Sequence, residues 1–205
     1  NSLIFYYLIF ILIFFQGIIG WYMVKSGLSE RTDVSHYRLA LHLTVAFVIF
    51  ILLFWNYLKY INNEDLKFYR KLPFYLPIFF ISCIILQIII GAFVSGLDAG
   101  QIYQSWPLMN QSYFPDDSHL IDLFSLKSFN TPSLVQFIHR NMAYLILLIF
   151  LINATIIFGN NDFIYMRKTI LIVFVSLFVQ IVLGILTVLS GAQIILASMH
   201  QIGSI

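Results

Sequence analysis

The chain has 205 residues, of which 60% are hydrophobic and only 10% charged, with a mean hydropathy of +0.91. A soluble domain keeps roughly a quarter of its residues charged, so the composition excludes an ordinary soluble enzyme and predicts an all-α polytopic membrane protein. Eleven Lys and Arg against nine Asp and Glu leave a net charge of +2 with no basic cluster, which argues against a nucleic-acid partner, and the single cysteine, Cys83, excludes an internal disulfide.

A span needs about 20 apolar residues to cross the hydrocarbon core. Five segments qualify, at roughly 3–24, 37–58, 74–95, 134–158 and 168–189, and a sixth helix starts near Gln193. The first follows Asn1 without a basic n-region or a small-residue cleavage site, so it is not a signal peptide. The sixth runs to Ile205 in an apolar stretch, and the expectation is an internal piece of a longer protein with this last helix truncated. Pro73 and Pro77 suit the first turn of the third helix and Pro132 that of the fourth, and Ser133 with Gln136 matches a capping box.

Charge in the connections predicts the orientation. Lys59, Lys67, Arg70 and Lys71 cluster after the second span, and Arg167 and Lys168 follow the fourth. The loop 96–132 has Lys127 as its only basic residue, beside Asp98, Asp116, Asp117 and Asp122. The positive-inside rule puts the two basic connections in the cytoplasm and 96–132 outside, with Lys25 and Arg31 as the weak point of that assignment.

The chain also repeats itself. Gln16 and Gly20 are followed by Ser26-Gly27, and Gln180 and Gly184 by Ser190-Gly191, at the identical spacing Q-x3-G-x5-S-G. His42 follows the first copy and His200 the second, while Gln87 and Gly91 repeat the opening of the pattern in the third span. The repeat predicts two homologous helix bundles.

Of five histidines, His36 and His119 read as solvated loop residues. His42, His139 and His200 each lie within about two turns of a helix's outer end, on the order of 10 Å below the outer surface. A histidine inside a span is costly unless paired, so three at one depth point to ligation rather than to plain helix–helix hydrogen bonds. One turn beyond each stands a small residue, Ala46, Ala143 or Ser204, leaving room for a flat macrocycle. No carboxylate or thiolate accompanies them, which argues against zinc hydrolase and iron–sulfur sites and favours b-type haem. Arg140 beside His139, and Arg38 one turn before His42, suit haem propionates, with snorkelling to the interface as the plainer alternative. The repeat pairs His139 with His200 around one haem and leaves His42 needing a mate beyond this chain.

The motifs QGIIGWYMVKSGL (16–28), YRLALH (37–42), GAFVSGLDAG (91–100), WPLMN (106–110), FIHRNMAY (137–144), VLGILTVLSG (182–191) and MHQ (199–201) together resemble the haem A synthase family, in its proteobacterial and mitochondrial branch. The resemblance implies two pseudo-symmetric four-helix bundles, with helices three to eight represented here. Residues 1–60 would be the second half of an N-terminal substrate-haem bundle, 61–73 a cytoplasmic linker, and 74–205 a C-terminal haem b bundle including the outer loop 96–132. It implies oxidation of a haem O methyl group to a formyl group for cytochrome oxidase biogenesis. A resident haem b on the irons' ligands His139 and His200 would relay electrons, with Arg140 on its propionates; His42 and Arg38 would hold the substrate haem O. The loop carrying Asp98, Tyr103, Trp106 and Asn110 would cover the resident haem.

A glutamate important in the family lies between helices that this chain lacks, and neither Glu30 nor Glu64 replaces it, so no catalytic residue is assigned and this chain alone is expected to be inactive. The implied partner is the haem O-producing farnesyltransferase, with the electron donor and any homo-oligomer open. The implied location is the bacterial inner membrane, or the mitochondrial one in a eukaryote. Two other readings compete: a dihaem b-type cytochrome that only transfers electrons, and a transporter or assembly factor whose histidines relay protons or handle copper.

Overall fold

A computed structural model describes residues 2–27, 34–62 and 75–204. Its regular structure is helical: α1 (Ser2–Gly27), α2 (His36–Asn62), α3 (Tyr75–Gly96), α4 (Pro132–Gly159), α5 (Arg167–Leu189) and α6 (Ile194–Ile202), with short 3-10 turns in the connections. The first five are long and apolar enough to span a bilayer. In hydrocarbon no water can satisfy a free N–H or C=O, so a helix, which closes its own hydrogen bonds, is the form such segments take. Large side chains such as Phe10, Phe79, Leu148 and Val175 are exposed, as a lipid-facing surface requires. Lys67, Arg70, Lys71 and Pro73, and most of the linker 61–73, lie outside the described residues, as do Glu30, Arg31 and Glu64.

The chain divides into two compact units, Asn1–Leu72 and Pro73–Ile205. In the first, α1 packs along α2, burying Ile9, Ile19, Ala40 and Ile49. In the second, α3 packs along α4 and α5 along α6, with α4 also against α5. Cys83 of α3 and Ile146 and Ile149 of α4 form a small core, flanked by Phe80, Ile84, Met142 and Leu177. Phe150 bridges Phe80 on α3 and Phe174 on α5, at centroid distances of 6.1 and 6.0 Å.

The start of α4 differs from the sequence expectation. Thr131 occupies the N-cap position and Pro132 the first turn, so Ser133 lies inside the helix and forms no capping box. Gln136, buried, instead donates to the carbonyl of Tyr103 at 3.0 Å. The outer loop wins this side chain because its buried carbonyl has no water to turn to.

Candidate functional site

The three membrane histidines occupy matching places. His42 is the seventh residue of α2, His139 the eighth of α4 and His200 the seventh of α6. Each faces the preceding helix at the Gln-x3-Gly pair. The Gln16 amide donates to the His42 carbonyl at 3.0 Å, Gln87 to that of His139 at 3.1 Å, and Gln180 to that of His200 at 2.7 Å. The same Nε2 lies 3.4 Å from His42 Nε2 in the first pair and 3.3 Å from His139 Nε2 in the second. One turn further along, a glycine faces the imidazole. A Cβ built on Gly20, Gly91 or Gly184 would stand 3.1, 3.2 or 3.0 Å from the Cε1 of His42, His139 or His200.

These glutamines and glycines were visible in the sequence only as a repeat. Their place against the histidines adds them to the site, and the signal for it was the third copy, Gln87 and Gly91, ahead of His139. The small residues singled out one turn beyond each histidine, Ala46, Ala143 and Ser204, are all partly buried.

Within the second unit, His139 and His200 meet. Their ring centroids are 6.5 Å apart and their planes stand at 86°. Two imidazoles sharing one metal ion, each with a metal–nitrogen bond of about 2 Å, hold their centroids on the order of 6 Å apart. The Nδ1 atoms of both rings are buried without a hydrogen-bond partner. Among the described residues no group of three or more His, Cys, Asp or Glu comes together as a metal site. The pair therefore suits a group that brings its own equatorial ligands, as a haem does.

Arg140 serves the outer loop. Its Nη1 donates to the carbonyl of Ser105 at 2.9 Å and its Nη2 to that of Tyr103 at 2.9 Å, with a longer contact from Nη1 to Leu108 O at 3.4 Å, while Nε is buried without a partner. Trp106 Nε1 donates to Tyr144 Oη at 3.0 Å, and the Tyr113 hydroxyl to Asn141. The loop is thus seated on the helical turns that carry His139. Asn110, in the left-handed region at φ 62°, donates its N–H to Ser105 Oγ at 2.7 Å. Tyr103 is buried and its hydroxyl donates to Asp116. Burial, then that hydrogen bond and the carboxylates of Asp117 and Asp116, push its phenol up to about 12. Asp98, exposed at φ 49°, begins the 3-10 turn after α3.

The loop also reaches the turn between α5 and α6. Gly191 adopts φ +68°, and a Cβ there would stand 3.0 Å from Gln104; Gly100 approaches Ala192 in the same way at 3.3 Å. In the first unit the guanidinium of Arg38 lies over the Tyr22 ring, 4.9 Å from its centroid. His36 begins α2 against Tyr37, and His119 is exposed in the outer loop, where its backbone N–H donates to Asp122 Oδ2 at 3.2 Å.

Comparison with known proteins supplies the context. A protein from Pelagibacter ubique named heme A synthase is 48% identical over 200 residues, covering 98% of this chain and 58% of the relative. One of the same name from Rickettsia conorii is 39% identical over 205 residues, covering 97% and 60%, and one from Wolbachia pipientis 40% over 196, covering 92% and 53%. The chain therefore spans less than two thirds of the length of these relatives. No solved structure matches it. The relatives named here are bacterial, and with five helices among the described residues able to cross a bilayer the chain is a multi-pass protein of the bacterial inner membrane. The family model for cytochrome oxidase assembly protein (COX15-CtaA) matches residues 3–205, and the chain belongs to that family.

Proposed function

We propose that the protein to which this chain belongs is a haem A synthase, an oxidoreductase that converts a methyl group of haem O to the formyl group of haem A for cytochrome oxidase. The observation that carries the haem part is the His139–His200 pair, two perpendicular imidazoles 6.5 Å apart on α4 and α6. The relatives' names support the reaction.

His139 and His200 hold a resident haem b, which when bound supplies one-electron transfer to the oxidation. Gln87 and Gln180 tie down the main chain of these ligands, and the outer loop is seated on Arg140 and Tyr144 beside His139. Arg140 has both terminal nitrogens on loop carbonyls, which leaves its Nε–H and the second hydrogen of Nη2 for a propionate. His42 in the first unit ligates the substrate haem O, and Arg38 pairs with a propionate of that substrate. The basic connections face the cytoplasm, the outer loop faces away from it, and the farnesyltransferase that makes haem O is the expected supplier.

The test is expression of the full-length protein with a supply of haem O, followed by extraction and chromatography of its haems. Haem A accumulates if the reading is right. A reduced-minus-oxidised spectrum of haem b without any haem A would favour the dihaem cytochrome, and a purified protein with no Soret band would remove both.

A further inference from the structure

The glycine in each Gln-x3-Gly pair sits in a helix interior, where it costs about 1 kcal/mol relative to alanine. Its presence at one register in three helix pairs calls for a spatial reason. Glycines in membrane helices commonly let two backbones approach closely. Here the nearest neighbour of each glycine is a histidine ring. For Gly91 the only atoms within 4 Å of a built Cβ are two of the His139 ring, and for Gly20 and Gly184 the three nearest all belong to the ring of His42 or His200. By contrast, Gly17, on α1, and Gly159, ending α4, have nothing within 4 Å.

We propose that Gly91 and Gly184, with Gln87 and Gln180, are positioning residues that set the rotamers of His139 and His200, and that Gly20 with Gln16 does the same for His42. This rests on the haem reading above. The glutamine fixes the main chain of the histidine against the preceding helix, and the bare glycine surface one turn away supports the edge of the ring. Two points of contact determine the side-chain torsions, and the clamp on each helix pair is what leaves the rings of His139 and His200 at 86°. A methyl group at 3.0–3.2 Å from Cε1 must push the ring by a few tenths of an ångström, turning or displacing the ligand.

The angle between axial imidazoles is directly measurable. In low-spin ferric haem, perpendicular ligand planes leave two iron d orbitals nearly equal in energy and make the electron paramagnetic resonance signal strongly anisotropic. Turning one ring splits those orbitals and narrows the spread of g values. The experiment purifies the full-length protein carrying Gly91→Ala, Gly184→Ala, Gln87→Leu or Gln180→Leu, with Gly159→Ala as control. It measures helix content by circular dichroism, haem loss to excess apomyoglobin, and the ferric resonance spectrum.

The expected result is native helix content in all variants and wild-type behaviour of Gly159→Ala. Gly91→Ala and Gly184→Ala should show a narrower g spread and haem retention weakened on the order of 10-fold, as for other outer-shell partners of metal ligands. Wild-type spectra and retention in both would overturn the proposal. So would loss of helix content in either, since the glycine would then serve backbone packing. A wild-type protein without a Soret band would instead overturn the haem reading on which the proposal rests.

Discussion

Arg140 shows how far a residue's chemistry can be read before its neighbours are known. Beside His139 in the sequence, a guanidinium suggests a partner for a propionate. In three dimensions its forked nitrogens reach the carbonyls of Tyr103 and Ser105, neighbours 37 and 35 positions back in the chain. No local pattern announces such a contact. Lysine cannot reproduce the fork, so Arg140→Lys should cost about 1–3 kcal/mol of local stability, seen as faster amide hydrogen exchange across residues 103–112 with α4 unaffected. Unchanged exchange there would show that the loop does not depend on the fork. Tyr103 offers a second check. Its folded pKa lies above the ordinary 10, so its contribution to stability is complete below pH 10 and is lost as pH rises through about 12. Ultraviolet titration of tyrosinate should find one tyrosine ionising near 12, and Asp116→Asn should lower that value.

Among the elements, the spans were the most legible part of the chain, because lipid imposes a length and an apolar composition that few other environments demand. The expected spans and the observed helices differ by one residue at most ends and by no more than four at any, where caps and short turns decide. The outer loop was legible only in its motifs, since a segment of this length without periodicity is held by distant side chains such as Gln136 and Arg140. Which face of a span is buried was equally hidden, because the stretches 83–86 of α3 and 145–152 of α4 are apolar all round. Ile146 and Ile149 meet Cys83 within the protein, whereas Leu148 faces outward. Ile146→Ala should therefore cost about 2–4 kcal/mol, and Leu148→Ala less than about 0.5 kcal/mol, measured as unfolding in detergent micelles. Equal effects would place the α3–α4 contact elsewhere.

At the scale of the whole molecule, the histidines divide between the two units: His42 in the first, His139 and His200 in the second. The sequence repeat already paired His139 with His200, and the fold adds the distance and angle between their rings, 6.5 Å and 86°. If the second unit holds a haem of its own, His139→Ala and His200→Ala should each abolish the same b-type band in the reduced-minus-oxidised spectrum. His42→Ala should leave that band intact while reducing the haem O that copurifies. Loss of the b-type band in His42→Ala would rule out the division of roles.

The outer loop holds α4 through Arg140 and meets the α5–α6 turn through Gln104 over Gly191. The two helices that carry His139 and His200 are thereby braced at the end where the histidines lie. Separating them far enough to admit or release a flat ligand means first lifting the loop from one side. If a haem binds at this pair as proposed, the loop contacts must open before it leaves, so its residence time reports on the loop as well as on the bond to either imidazole.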